Sequence, residues 1–329
     1  MQSTHRQPRS GQPLDHPAMS AQPSAIILAG GYSSRMGELK ALLPMGRGTV
    51  LERAIVQFHR CGVEDIVVVT GHRADEVAAV AEQAQARYAH NPSFAEGMYS
   101  SIRTGVSALS PDSPGFFLLP VDIPLIRRGT IRLLLQALAE APATILYPVF
   151  DDRRGHPPLL SSEVAALVRA ETAPDGGLRT LLSRIETEQA EQVRDIPVAD
   201  ANIHFDMDTP DDYFHGCLLF GRREVPSMAE AEAILDHIHP MPEKGLAHGR
   251  MVGEVAAILC EAVIHHSGRE LSPHVCRVCG LLHDIAKGHP HHEATGAAWL
   301  RELGFDRAAE IVAAHKDMDW NPDMGVGER

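Results

Sequence analysis

Leu28-Ala29-Gly30-Gly31-Tyr32-Ser33-Ser34-Arg35-Met36-Gly37-Glu38-Leu39-Lys40 follows a short apolar run, Ala25-Ile26-Ile27-Leu28, which reads as a buried strand. Gly30 and Gly31 can take positive φ and let the backbone approach a ligand closely. Ser33 and Ser34 supply hydroxyls, the turn supplies backbone N–H groups, and Arg35 and Lys40 add two fixed positive charges. A strand, a glycine turn and then Arg and Lys make a cradle for a polyphosphate. A tight turn carrying surface cations is the plainer alternative; the spacing of Arg35 and Lys40 favours the cradle.

Outward from this turn, apolar runs alternate with helical patterns. The strand candidates are Ala25–Leu28, Asp65–Val69, Gly115–Leu119 and Thr144–Val149. Between them lie helical patterns over Thr49–Arg60, Arg73–Gln85, Met98–Leu109 and Arg127–Glu140. Val50, Leu51, Ala54, Ile55 and Phe58, for example, share one helix face. Such alternation predicts an α/β domain with a mostly parallel sheet covered on both faces, whose ligand sits at the carboxyl ends of the strands. Three of those ends carry chemistry: Gly30-Gly31, Gly71-His72 and Pro120-Val121-Asp122-Ile123-Pro124.

The pattern changes near residue 215. The segment 216–227 is read as a linker ending in a helix cap at Ser227. From 228 every periodic segment is helical: Ala229–His239, His248–His265, Pro273–Lys287, Ala294–Leu303 and Asp306–His315. The expected organisation is a disordered tail over 1–22, an α/β domain over 23–215, the linker, and an all-α domain over 228–329.

A chain of 329 residues is long enough for two domains. Its formal charge of −13 argues against a nucleic-acid partner. No apolar run approaches the roughly 20 residues of a membrane span, and the Gln-, Pro- and Ser-rich start has no apolar core to act as a secretory signal. Five scattered cysteines suit a reducing cytoplasm. Cys276-Arg277-Val278-Cys279 is a single C-x-x-C within a helical apolar pattern, which favours buried helix cysteines over zinc or redox chemistry.

Asp122 follows the apolar run Phe116-Phe117-Leu118-Leu119 and suits Mg²⁺, an ion held by one or two carboxylates plus substrate phosphates. In His204-Phe205-Asp206-Met207-Asp208, Asp206 and Asp208 are expected to alternate on a strand, with Asp208 a second metal ligand. Thr209 and Pro210 read as the cap and first position of a helix, with Asp211 and Asp212 complementing its dipole. Over Asn91 to Gly105, Gly97, Ser100 and Ser101 place hydroxyls and N–H groups at a helix start, a site for an anion or a base edge. Gly155-His156-Pro157-Pro158 reads as an acceptor-side loop.

Together, Leu28-Ala29-Gly30-Gly31 through Arg35-Met36-Gly37 and Lys40, Gly71-His72, Asn91-Pro92, Gly97-Met98, Ser100-Ser101-Ile102, Asp122 with Pro124, Gly155 with Pro157, Asp175-Gly176, and Asp206 to Tyr213 resemble the nucleotidyltransferase family that attaches a nucleotide to molybdopterin. The resemblance covers about residues 24–214. It implies a Rossmann-like fold, Mg²⁺ dependence, pyrophosphate release, an NTP and a molybdopterin-type acceptor as substrates, and a molybdoenzyme or its chaperone as partner. It assigns Arg35, Lys40 and Asp122 to catalysis. Nucleotide binding falls to Leu28, Ala29, Gly30, Gly31, Ser33, Gly71, Asn91, Ser100 and Ser101, and the metal to Asp122 and Asp208. Two departures stand out. The family's Gly-Asp-Met-Pro is Val121-Asp122-Ile123-Pro124 here, with the Asp kept. The loop Leu28-Ala29-Gly30-Gly31 has the form of the guanylyl branch (GTP), whereas Asn91 to Gly105 looks like the cytidylyl branch; the balance leans to CTP. A sugar or alditol phosphate is the alternative acceptor, and a non-catalytic cofactor-binding regulator is the alternative class.

In the helical half, His283-Asp284 lies late in an apolar helical run with His248 upstream. Ala247-His248-Gly249-Arg250-Met251-Val252 and Leu281-Leu282-His283-Asp284-Ile285-Ala286-Lys287 resemble the HD phosphohydrolase superfamily. The resemblance implies a divalent metal, Mn, Fe, Zn or Mg, on His248, His283 and Asp284, with a bound water as nucleophile. His292 and His315 resemble the extra histidines of members that bind two metals. The superfamily's final Asp has no counterpart at helical spacing. Asp317, Asp319 and Asp323 lie in a Pro- and Gly-containing tail, so this domain is expected to be C-terminally incomplete.

Overall fold

A computed structural model describes residues 22–170 and 176–315; the expected tail up to residue 21, Asp175, Asp317, Asp319 and Asp323 lie outside the described residues. The strands are β1 Ser24–Leu28, β2 Pro44–Met45, β3 Gly48–Thr49, β4 Ile66–Thr70, β5 Arg87–His90, β6 Gly115–Pro120, β7 Ile145–Phe150, β8 Arg153–Arg154, β9 Leu159–Ser161 and β10 Val193–Pro197. The helices are α1 Val50–His59, α2 Ala74–Gln83, α3 Met98–Ser107, α4 Arg128–Glu140, α5 Ser162–Ala170, α6 Leu178–Glu188, α7 Pro210–Arg222, α8 Met228–Ala233, α9 Glu243–Ser267, α10 Pro273–Leu282, α11 His292–Leu303 and α12 Asp306–Ala313.

Eight strands form one sheet in the order β10-β7-β9-β6-β1-β4-β5, with β8 paired to β7. β1 pairs in parallel with β4 and β6, β4 with β5, and β10 with β7; β9 is antiparallel between β6 and β7. β1 can be apolar throughout because helices cover both sheet faces. Its residues then alternate between two cores. Ala25 and Ile27 join Phe58, Val68, Phe117 and Leu119 on one face. Ile26 and Leu28 join Val67, Val69, Ile102, Phe116 and Leu118 on the other. From β1 the chain moves outward through β4 and β5, then crosses back to β6 on β1's other side. The reversal opens a crevice beyond the carboxyl ends of β1 and β6.

β2, β3, β5, β8, β9 and β10 are additions to the four expected strands. β5 is a largely exposed edge strand, Arg87-Tyr88-Ala89-His90, without apolar alternation. β9 buries only Leu159 and Leu160. The strand expected through Asp206 and Asp208 is absent: 205–208 is non-helical loop between a short 3₁₀ turn and α7. Thr209 caps α7 in a capping box with Asp212, and Pro210 occupies the first turn. The linker expected over 216–227 is helical through Arg222, because Cys217, Leu218, Leu219 and Phe220 continue the helix and Leu219 and Phe220 pack against the sheet core. Ser227 caps α8 as expected, in a capping box with Glu230.

The helical half packs its own core from Leu281, Leu282, Leu300, Phe305 and Val312. α9 and α10 cross closely on glycines. A Cβ on Gly280 would stand 2.6 Å from Gly253 Cα, and one on Gly249 would stand 2.5 Å from the Leu281 carbonyl oxygen. This contact brings His248 and His283 side by side, with ring centroids 5.2 Å apart. The helical half is seated on α4: a Cβ on Gly129 would meet Leu303 Cα at 2.7 Å. The buried Arg127 Nε donates to Glu230 at 3.2 Å, and Asp200 accepts from the Arg127 backbone N–H at 2.7 Å and from the Thr130 hydroxyl at 2.8 Å. No helix among the described residues is long and apolar enough to cross a membrane.

Candidate functional site

At the crevice, the β1 and β6 ends are locked together. The Val121 N–H donates to the Leu28 carbonyl at 3.1 Å, and the Ala29 N–H to that of Val69 at 2.9 Å. Neither Gly30 nor Gly31 takes positive φ; that conformation falls on Ser33 (51°) and Gly37 (78°). Gly30 is instead fixed by crowding, since its Cβ would stand 3.3 Å from the Gly71 backbone N. Gly71 mirrors it, its Cβ falling 2.5 Å from the Gly30 oxygen. The Gly31 Cβ would meet nothing within 4 Å, so that backbone faces open space. The Lys40 N–H donates to the Ser33 hydroxyl at 3.1 Å and closes the loop.

Lys40 is buried at the floor of the crevice, 9% exposed. Its Nζ lies 2.5 Å from Asp208 Oδ1 and 3.2 Å from Asp122 Oδ2, and Arg35 reaches the other Asp208 oxygen at 2.6 Å. Burial works to lower the Lys40 pKa, but hydrogen bonds and charge from Asp208 and Asp122 outweigh it and hold the ammonium above its ordinary value. Asp208 is correspondingly held low by the Lys40 hydrogen bond. The Met207 N–H donates to the Asp122 carbonyl at 2.9 Å, pinning the Asp206–Asp208 loop to the end of β6. Without a strand, Asp122, Asp206 and Asp208 still bring one ligand atom each within 4.8 Å of one another. Desolvation and the charges of Asp122 and Asp208 push Asp206 above its usual range. Three carboxylates this close together, at the carboxyl ends of the strands, fit a hard divalent cation.

Asn91 is 2% exposed. Its amide donates to Ser100 at 2.9 Å and Ser101 at 3.0 Å, while the Ser100 hydroxyl lies within bonding distance of the Ser93 and Gly97 carbonyls. These three side chains therefore shape the loop from within. At the rim the exposed Tyr32 ring lies 5.2 Å from that of the half-buried His72 and 5.1 Å from that of the half-buried Phe94. This ledge and Asp206 as a third carboxylate were not identified from sequence. Tyr32 and Phe94 lay inside the quoted motifs, yet no spacing marks rings that meet across two strand ends. His156, in the loop expected to face the acceptor, has its pKa lowered by burial against the nearby Asp122 charge.

The second centre surrounds Asp284. His248 and His283 present Nε2 at 3.8 and 3.4 Å from Oδ2; His292 and His315 present Nε2 at 3.3 and 3.9 Å from Oδ1. All five sequence candidates thus converge as two sets sharing one carboxylate. His283 Nδ1 lies 2.7 Å from the Gly280 carbonyl, and His315 Nδ1 2.7 Å from that of Val312. A carbonyl only accepts, so Nδ1 carries a proton, which leaves Nε2 as the nitrogen turned toward Asp284 and the one a metal would use. Burial acts to raise the Asp284 pKa; the Lys287 hydrogen bond and the charges of His283, Lys287 and His292 prevail and hold it low. A cavity of about 760 Å³ adjoins His248, lined also by Lys244, Lys287, His289, His239 and Trp299. Cys276 and Cys279 lie on α10 and join no metal-ligand cluster among the described residues; burial pushes their thiols up to about 11 and about 12.

A glycine turn, paired cations and a carboxylate cluster at the switch point of an α/β sheet define a nucleotidyltransferase, followed here by an HD domain. The model of the MobA-like NTP transferase domain matches residues 25–192 and that of the HD domain matches 245–325. The chain belongs to the MobA-like NTP transferase family. It is similar to the molybdenum cofactor cytidylyltransferase of Escherichia coli K12, 31% identical over 57% of this chain and 92% of that protein. It is also similar to a probable molybdenum cofactor guanylyltransferase of Mycolicibacterium paratuberculosis, 30% identical over 54% of this chain and 87% of that one. The crystal structure of Rv0371c from Mycobacterium tuberculosis H37Rv superposes with a TM-score of 0.52 at 25% identity, covering 61% of this chain and all of that one.

Proposed function

We propose that the α/β domain transfers a nucleotidyl group, CMP in preference to GMP, from an NTP to the terminal phosphate of a molybdopterin-type acceptor, releasing pyrophosphate. The observation that carries this reading is the convergence of Asp122, Asp206 and Asp208 on Lys40 and Arg35 beside the Gly30–Gly31 turn. Asp122 and Asp208, with Asp206, would hold Mg²⁺, which when bound supplies charge stabilisation at the phosphates. The backbone of Leu28, Ala29, Gly30 and Gly31 cradles the polyphosphate. Gly71 and Ser33 hold that turn in shape, and Asn91, Ser100 and Ser101 set the loop that borders the base. Tyr32, His72 and Phe94 offer the base or ribose a stacking face.

An acceptor phosphate oxygen attacks the α-phosphorus in line, and the bond to the β-phosphate oxygen breaks. Arg35 and Lys40 stabilise the charge that grows on the departing pyrophosphate. The acceptor is itself the nucleophile, so holding the two substrates in register supplies much of the rate. The preference for CTP rests on the Asn91 to Gly105 stretch and on the likeness to the cytidylyltransferase. The test is pyrophosphate release by the full chain with CTP, GTP or ATP, with molybdopterin or a sugar phosphate as acceptor. Release with CTP and molybdopterin is expected; turnover with the sugar phosphate alone would replace the acceptor.

For the HD domain, the two ligand sets sharing Asp284 favour metal-dependent phosphoester hydrolysis. His248, His283, His292, His315 and Asp284 would hold the metal, of the Mn, Fe, Zn or Mg class. Lys244, Lys287 and His289 of the adjoining cavity would receive the phosphate and Trp299 the organic part of the substrate.

A further inference from the structure

At the junction of the two domains, α1, the loop 125–127 with the first residue of α4, the end of α7 and the start of α12 enclose a cavity of about 50 Å³. That space matches roughly four water molecules, or one tetrahedral oxyanion. In a chain with a formal charge of −13 it is lined by five arginines, Arg53, Arg60, Arg127, Arg128 and Arg223, against two acids, Glu224 and Asp306. Three of the five are already committed: Arg127 to Glu230 and Asp200, Arg128 to Asp306, and Arg223 to Glu224 at 3.3 Å. Arg53 is not. Its guanidinium lies over Phe220, 4.3 Å from the ring centroid, with Arg223 at 3.9 Å from the same ring. Arg53 Nε is buried with no hydrogen-bond partner. Burial and the charges of Arg223 and Arg60 pull Arg53 down to about 10. A donor buried among like charges costs stability unless an acceptor meets it.

We propose that this junction cavity binds a small oxyanion of the phosphate class, gripped by Arg53 and the exposed Arg60 of one wall, with Arg223, whose hydrogen bonds go to Glu224 and Phe220, adding its charge from the end of α7. The buried amide of Gln57 adds a neutral donor. The surrounding elements continue from both catalytic edges: Leu125–Arg128 follows Asp122, α7 follows Asp208, and Gly304 and Asp306 belong to the helical half. Bound phosphate therefore tightens the seat of the HD domain on the transferase, whichever reactions the two centres perform.

The test is calorimetric titration of the full chain with inorganic phosphate, pyrophosphate and CTP, in phosphate-free buffer with chelator. The titration is repeated in a Lys40→Ala/His283→Ala background, which impairs both candidate active sites. One site for inorganic phosphate should persist in that background, bind phosphate more tightly than CTP, and raise the melting temperature. Arg53→Gln should weaken it by about tenfold, the loss of one charge-assisted hydrogen bond. Gln57→Glu keeps every arginine and places a carboxylate in the cavity. It should abolish phosphate binding without lowering the melting temperature in phosphate-free buffer, and so decides the matter if Arg53→Gln fails to fold. Phosphate binding that disappears in the Lys40→Ala/His283→Ala background, that is unchanged in Gln57→Glu, or that is absent at millimolar phosphate overturns the proposal.

Discussion

Gly71→Ala and Gly31→Ala separate the shape of the glycine turn from its use. A Cβ on Gly71 would stand 2.5 Å from the Gly30 oxygen and 2.7 Å from Phe94 Cγ, and real Cβ atoms do not approach closer than 3.0 Å. The Phe94 ring can tilt; the Gly30 oxygen is backbone, and it accepts the His72 N–H at 3.1 Å. The turn must therefore retreat by about half an ångström, at an overpacking cost of about 1–3 kcal/mol. A displacement of about 1 Å at a reacting centre costs about a hundredfold in rate, so roughly tenfold in kcat/KM is expected for half of that. Gly31→Ala meets no protein atom within 4 Å, and its stability should stay within about 0.5 kcal/mol of wild type. Its methyl points into the space assigned to the polyphosphate, so KM for the NTP should rise. Thermal melts and pyrophosphate-release kinetics on both variants are the assay. Wild-type kcat/KM in Gly71→Ala, or an unaltered KM in Gly31→Ala, would refute the placement of the phosphates on this turn.

Three further outcomes are expected. Arg127→Ala leaves Glu230 and Asp200 buried without their cation and should cost about 3–5 kcal/mol in urea unfolding, far more than loss of an exposed arginine. Asp206 has its folded pKa raised above 3.8, so the stability tied to its proton is full below pH 3.8 and lost as pH rises through the folded value; in metal-free protein Asp206→Asn should match wild type in acid and melt higher at neutral pH. Metal analysis should show His283→Ala losing the metal of the His248 set and His315→Ala losing that of the His292 set, with equal metal content in all three proteins counting against the HD centre.

The α/β core was legible because β1, β4, β6 and β7 are apolar runs whose alternate residues feed two separate cores, and their chemistry sits at their ends. Lys40, Arg35, Asp122 and Asp208 stood out as candidates for the same reason, each adjoining a strong pattern, and the structure brings the four together. β5 and β9 were not. An edge strand of exposed residues has no buried face to alternate, and two leucines give too short a period. Asp206 and Asp208 were placed on a strand because two-residue spacing puts side chains on one face. The structure reaches a similar convergence through a loop pinned by the Met207 N–H on the Asp122 carbonyl, a long-range bond that spacing cannot encode. Asn91, Ser100 and Ser101 were expected to meet the nucleotide directly, whereas here the Asn91 amide donates to both hydroxyls. In the helical half the five candidate ligands came from the resemblance to the HD superfamily, and the structure brings them together. Their division into two sets depends on glycine-mediated crossing of α9 and α10 and on which ring nitrogen meets a carbonyl, neither of which a linear motif carries.

The most direct measurement follows the label of CTP carrying a radioactive α-phosphate, incubated with the full chain, Mg²⁺ and molybdopterin. Wild type should move the label onto the pterin with one pyrophosphate released per transfer. Asp122→Ala and Lys40→Ala should each abolish the transfer while keeping the wild-type circular dichroism. Label transferred undiminished by Asp122→Ala or Lys40→Ala, or released only as free CMP by wild type, would contradict the account.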